Sequence, residues 1–141
     1  MKSRIETVHT QYSLDGQTMM FEDNIELEWI DATRAKIKES SDFFDDFWLL
    51  YGDILNLEVS PSGFQIIAIE GPSDMLHYQF GAPPIPKPMT DELLKLGANW
   101  ECDMGYSMTL HVPKRAKNEV AKLLNLNFEE LEEVFSGLQE V

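Results

Sequence analysis

The sequence predicts a single α+β domain over residues 1–141, a mostly antiparallel sheet covered by three to five helices. Three observations predict it. The chain is 141 residues long, with 43% hydrophobic and 11% aromatic residues, enough for one self-supporting core and too apolar for wholesale disorder. Turn signals punctuate alternating apolar segments, as hairpins require. Between them lie stretches with apolar residues at helical spacing, and neither a repeat nor a low-complexity tract divides the chain.

The elements follow in order. Ile5 to Leu14 is extended in character, Asp15-Gly16 is the favoured two-residue hairpin turn, and Gln17 to Phe21 returns. From Asn24 to Ile30 the pattern alternates, with Ile25, Leu27 and Trp29 on one face and Glu26 and Glu28 on the other. Asp31 is suited to cap a helix over Ala32–Lys38, and Ser40 or Ser41 a second helix over Asp42–Tyr51. In that second helix Phe44, Phe47, Trp48 and Tyr51 would share a face, packed on the sheet or exposed as a partner-binding or dimerising surface.

Leu55–Val59 and Phe64–Glu70 make a second hairpin about Pro61-Ser62-Gly63, and FQIIAI, apolar on both faces, reads as a central strand covered by helices. Met75–Phe80 is a further strand. The run from Pro83 to Pro88, four prolines in six residues, is an extended connector. A helix over Asp91–Leu96 is capped by Thr90 and closed by Gly97. Asn99–Asp103 and Tyr106–Val112 form a hairpin, and Pro113 opens a basic helix reaching Leu124. Asn125 or Asn127 would cap a last helix, with Phe128, Leu131, Phe135 and Leu138 on its seam and Glu129, Glu130, Glu132 and Glu133 off it.

Charge bounds the function. Twenty-five acidic residues against eleven basic ones give a formal charge of -14, which disfavours direct binding to a phosphate backbone. No basic residue lies between Arg4 and Arg34 or between Lys38 and Lys87, so the field is strongly negative over most of the chain. No apolar run is long enough to span a membrane, and the first residues lack a signal-peptide core, so the expected place is the cytoplasm of a bacterial host. The one cysteine, Cys102, fits a reducing compartment.

Motifs for chemistry are sparse. His9, His77 and His111 are far apart and show no metal-ligand spacing; there is no phosphate-binding glycine loop and no nucleophile elbow. Cys102 stands between Glu101 and Asp103, whose charges blunt it as a nucleophile, although the last hairpin could bring it to His111. No catalytic residue, metal or cofactor is therefore expected, and the chain is read as a non-enzyme.

One stretch carries a resemblance. Phe80, Pro83, Pro84, Pro86, Trp100, Gly105 and Tyr106, within Tyr78 to Tyr106, follow an order that resembles the plasmid- and phage-encoded YubB-like family: aromatic strand, proline pair, helix, then a strand ending near an aromatic residue and glycine. Ala82 stands where that family carries tryptophan. The resemblance covers about a fifth of the chain and implies a ferredoxin-like sheet and a mobile-element origin, and brings no activity with it.

Size and charge lead to an acidic protein-binding inhibitor, phage- or plasmid-encoded, that blocks a basic nucleic-acid-binding effector such as a CRISPR or restriction enzyme by imitating DNA. B-DNA carries a charge about every 1.7 Å, and rows of carboxylates can approach such a density. Asp42, Asp45 and Asp46 form the first candidate row and Glu129, Glu130, Glu132 and Glu133 the second, with Phe43 and Trp48 as anchors. Three alternatives share the composition: an immunity protein for a cognate toxin, a small enzyme or ligand-binding domain with a pocket near His77, His111 and Cys102, and a housekeeping homodimer joined through the aromatic helix. In a mobility-shift assay at about 0.1 M salt the protein is expected to leave duplex DNA unshifted; a clear shift would overturn the charge argument.

Overall fold

The computed structural model describes residues 3–41, 46–70, 74–103 and 107–139. In chain order the elements are β1 (Ser3–Leu14), β2 (Gln17–Trp29), β3 (Arg34–Ile37), β4 (Phe47–Trp48), β5 (Ile54–Ser60), β6 (Gly63–Glu70), β7 (Met75–Gly81), α1 (Lys87–Lys95), β8 (Asn99–Asp103), β9 (Ser107–Pro113), α2 (Lys117–Leu124), β10 (Glu132–Glu133) and β11 (Gly137–Leu138). Two compact units result, one of Met1–Ser73 with Phe135–Val141 and one of Asp74–Val134.

In the first unit β1, β2, β3, β5 and β6 close into a barrel. The expected first hairpin is present: Asp15 and Gly16 both adopt positive φ, 51° and 77°, which matches the strand twist. Beyond it β2 runs unbroken to Trp29, and Val8, Phe21, Ile25, Leu27, Ile37 and Leu55 fill the interior. The barrel closes where β1 meets β6 in parallel, at Val8 opposite Phe64 and His9 opposite Gln65. Side chains staple this short seam: His9 Nε2 hydrogen-bonds Ser60 Oγ at 2.7 Å and the Thr10 hydroxyl donates to the Ile66 carbonyl at 3.5 Å.

The helix-rich expectation fails here, and the chain is mainly β with two short α-helices among the described residues. Asp31 accepts from the Thr33 and Arg34 amides, but it closes the turn into β3 rather than capping a helix. These bonds and the Arg34 guanidinium hold its carboxyl down to about 2. Ser40 and Ser41 cap distant amides: Tyr51 N–H donates to Ser40 Oγ and Leu49 N–H to Ser41 Oγ, bonds that pin a loop. Phe47 and Trp48 form β4, paired with β11, and Phe47 packs on Tyr12 and Phe21 with ring centroids 5.6 and 5.2 Å away. In β6 a bulge opposite Asn56 and Leu57 turns Ile67 outward, so FQIIAI is a barrel strand with one wet side rather than a strand covered by helices.

The second unit runs β7–α1–β8–β9–α2–β10, with an antiparallel sheet of order β10-β7-β9-β8. Tyr78, Leu110 and Val112 pack with Leu93 of α1 and Val120 of α2. The other sheet face carries His77, Thr109 and His111. α1 begins at Lys87, a turn earlier than expected, because Pro88 fits the first helical turn; the Thr90 hydroxyl bonds back to the Lys87 carbonyl. Asn125 ends α2 in the left-handed conformation instead of starting another helix. The expected last helix is replaced by a 3-10 turn at Phe128–Glu130, capped by the Asn127 side chain, and by β10, because the free edge of β7 offers Glu132 and Glu133 a ladder. The expected ferredoxin-like sheet under three to five helices does not describe this chain: a closed barrel occupies the first unit, and the α+β label gives way to a mainly β one.

Gly63 is required by the barrel seam. Its φ is +139°, and a Cβ there would overlap the Thr7 carbonyl oxygen of β1. Gly63→Ala is expected to cost about 3 kcal/mol in denaturant unfolding. Gly16→Ala meets open space and is expected to cost about 1 kcal/mol, from backbone strain alone. Equal losses at the two sites would disprove the close approach.

Candidate functional site

Two features of the second unit bear on function: a hydrogen-bonded histidine cluster and a row of exposed carboxylates. Cross-strand register builds the first. His77 of β7 lies directly opposite His111 of β9, and His111 opposite Asn99 of β8, which brings the two rings to one face. Their Nδ1 atoms are 2.8 Å apart, and His111 Nε2 is 2.6 Å from Glu101 Oε1. His111 is fully buried, His77 is 5% exposed, and Glu101 forms the wetter end.

The bond between the two Nδ1 atoms needs one proton, and its position orders the cluster. When His111 is neutral, its Nε2–H donates to Glu101, its Nδ1 accepts from His77, and His77 Nε2 is left with a lone pair. When His111 is protonated, both its nitrogens donate and His77 Nε2 must carry a hydrogen. Protonation beside Glu101 thus converts the His77 nitrogen from acceptor to donor. That nitrogen is buried and has no partner among the described residues. Burial, and after it the neighbouring His111, pushes the His77 pKa down to about 3, so its ring is neutral at physiological pH.

The pairing of His77 with His111 was not legible from spacing, because 34 residues separate them; only the β7–β9 register unites them. Glu101 was missed as their partner. Cys102 does not join: it faces Met108 across the hairpin, on the opposite sheet face from His111, and its thiol is free and exposed. His9 belongs to the barrel seam. Among the described residues no group of three His, Cys, Asp or Glu is arranged to hold a metal.

The expected partner-binding residues fare differently. Asp42, Phe43 and Asp45 lie outside the described residues. Asp46 is exposed at a bend where its carbonyl accepts from Gln139, and Trp48 is half-buried in β4, opposite Gly137. Glu129, Glu130, Glu132 and Glu133 are all exposed, the first two on the 3-10 turn and the others on β10. None of the four forms an ion pair among the described residues, although Arg34, Lys38 and Lys95 do so elsewhere.

No family model matches the chain, and no curated protein matches it. Among solved structures it is similar to a hypothetical protein from Neisseria gonorrhoeae, at 14% identity and a TM-score of 0.55, covering 99% of this chain and 100% of that one. That likeness concerns the fold alone. No helix among the described residues is long and apolar enough to cross a membrane.

A folded-state pKa near 3 for His77 has a signed consequence. Its neutral form stabilises the fold fully above the unfolded value of about 6.5, and that stability is lost as pH falls toward 3, because the unfolded chain binds the proton first. In nitrogen-15 NMR the His77 ring is expected to stay neutral from pH 8 down to about 4.5. Titration near 6.5 would contradict its burial.

Proposed function

We propose that the protein is a non-enzymatic interaction module whose carboxylate row binds a basic surface on another protein. The observation that carries this reading is the run Glu129, Glu130, Glu132 and Glu133, exposed and without an ion pair among the described residues, in a chain of net charge -14. Such carboxylates are hydrated and keep much of their water at an interface rim, which avoids the large cost of desolvating a charge. Their field raises the association rate of a cationic partner and repels nucleic acid.

Position adds geometry to charge. Glu132 and Glu133 stand opposite Gln79 and Tyr78 on an edge strand, and Asn127 fixes the turn that presents Glu129 and Glu130. The row is therefore held by backbone pairing on one side and by a cap on the other. We also place the protein in the cytoplasm, where a free, exposed thiol such as Cys102 persists. Neither the fold nor the comparisons support the narrower expectations of a phage-borne inhibitor or of a CRISPR or restriction target.

The test uses the protein as bait in bacterial lysate at low and high salt, beside a variant with all four residues changed from Glu to Gln. The wild type is expected to retain basic proteins that the variant and high salt release, with association slowed about tenfold or more by the substitutions. The four sites are exposed, so the variant should melt within a few degrees of the wild type. Equal capture by both forms would overturn the reading; a single salt-resistant toxin domain would identify an immunity protein instead.

A further inference from the structure

The second unit also contains an apolar pocket of about 180 Å³. Its walls come from separate segments: Phe80 of β7, Ile85 and Pro86 of the connector, Met89 of α1, Met108 of β9, and Leu126 beyond α2. Every lining side chain is apolar, so no side chain there would satisfy a polar group once water is displaced. A dry cavity of ~150 Å³ accommodates a benzene-sized group, so the pocket suits one aromatic or branched aliphatic side chain. Pro83, Pro84 and Pro86 fix the backbone of one wall before anything binds, which lowers the ordering cost. The two methionine side chains, Met89 and Met108, can adjust to the shape of what enters.

The acidic segment that follows the pocket wall points to the occupant. Leu126 lies three residues before Glu129, so the start of the carboxylate row is within about 11 Å of the pocket wall along the chain. A free hydrocarbon would have no use for these charges, whereas a polypeptide that carries both features would engage both. We propose that the pocket receives one aromatic or branched aliphatic side chain from a Lys/Arg-flanked segment of the partner, whose cations face Glu129 and Glu130. This rests on the interaction-module reading and names the segment that it recognises: an apolar anchor with basic flanks, the usual division between a buried hot spot and a charged rim.

The test titrates the full chain with three nine-residue peptides: basic flanks around a central Phe, basic flanks around a central Ala, and neutral flanks around Phe. The basic Phe peptide is expected to bind about tenfold or more tightly than either of the others, with NMR shifts at Met89 and Met108. Met89→Asn, at a site 38% exposed and therefore tolerant, is expected to erase the preference for Phe over Ala, while Met89→Leu keeps it. If both basic peptides bind equally, the pocket is not the anchor site and the carboxylate reading survives alone. If the neutral Phe peptide binds as tightly as the basic one, the carboxylate row has no role and both readings fall, leaving only an apolar pocket. No binding by any peptide overturns both.

Discussion

Five strands that run up and down in succession must close with the first and last pointing the same way. The barrel therefore cannot be antiparallel throughout, and its one parallel contact, β1 against β6, is also the weakest kind of ladder. Everything else in the first unit accommodates that seam. Gly63 lets the β5–β6 turn approach the Thr7 carbonyl, and His9 and Ser60 tie its flank. The apolar interior from Val8 to Ile66 is enclosed only because these local features agree.

The second unit is organised by a polar contact instead. His77, His111 and Glu101 come from three adjacent strands, and a shift of one residue in either pairing would separate them. A buried, directional network of this kind favours one register over its neighbours, which a uniformly apolar face would not do. The opposite face needs no such device, since Tyr78 stacks on Phe128 with ring planes 6° apart and the helices cover the rest. One sheet thus keeps packing on one side and specificity on the other.

Local signals in the sequence were readable wherever the deciding chemistry lies within a few residues. Asp15-Gly16, Pro61-Ser62, the strands on either side of them and the end of α1 at Gly97 all follow from turn and cap preferences. Helical spacing misled in two places. At Phe47–Trp48 and Phe128–Leu138 aromatic and leucine residues recur at three and four, yet Phe47 and Trp48 pair with β11, Glu132 and Glu133 with β7, and Gly137 and Leu138 with β4. Periodicity records which side chains are apolar and not which strand edge is vacant. The same limit applies to the site: the exposure of Glu129–Glu133 was legible from composition, whereas the histidine cluster needed the order of the strands.

The barrel unit is interrupted in the chain, for the second unit is inserted between Ser73 and Phe135. Its final pieces arrive last: β11 pairs with β4, and the Ser136 hydroxyl donates to Asp53, a carboxylate 1% exposed that also accepts from the Leu50 amide. During synthesis from the N-terminus, therefore, five barrel strands leave the ribosome well before the strand and hydroxyl that complete their surroundings. The barrel can close on its own strands, but β4 must wait some sixty further residues for β11, a separation that slows the completion of the unit. Emergence of β11 and Ser136, rather than of the barrel strands, then sets the moment at which the first unit reaches its final stability.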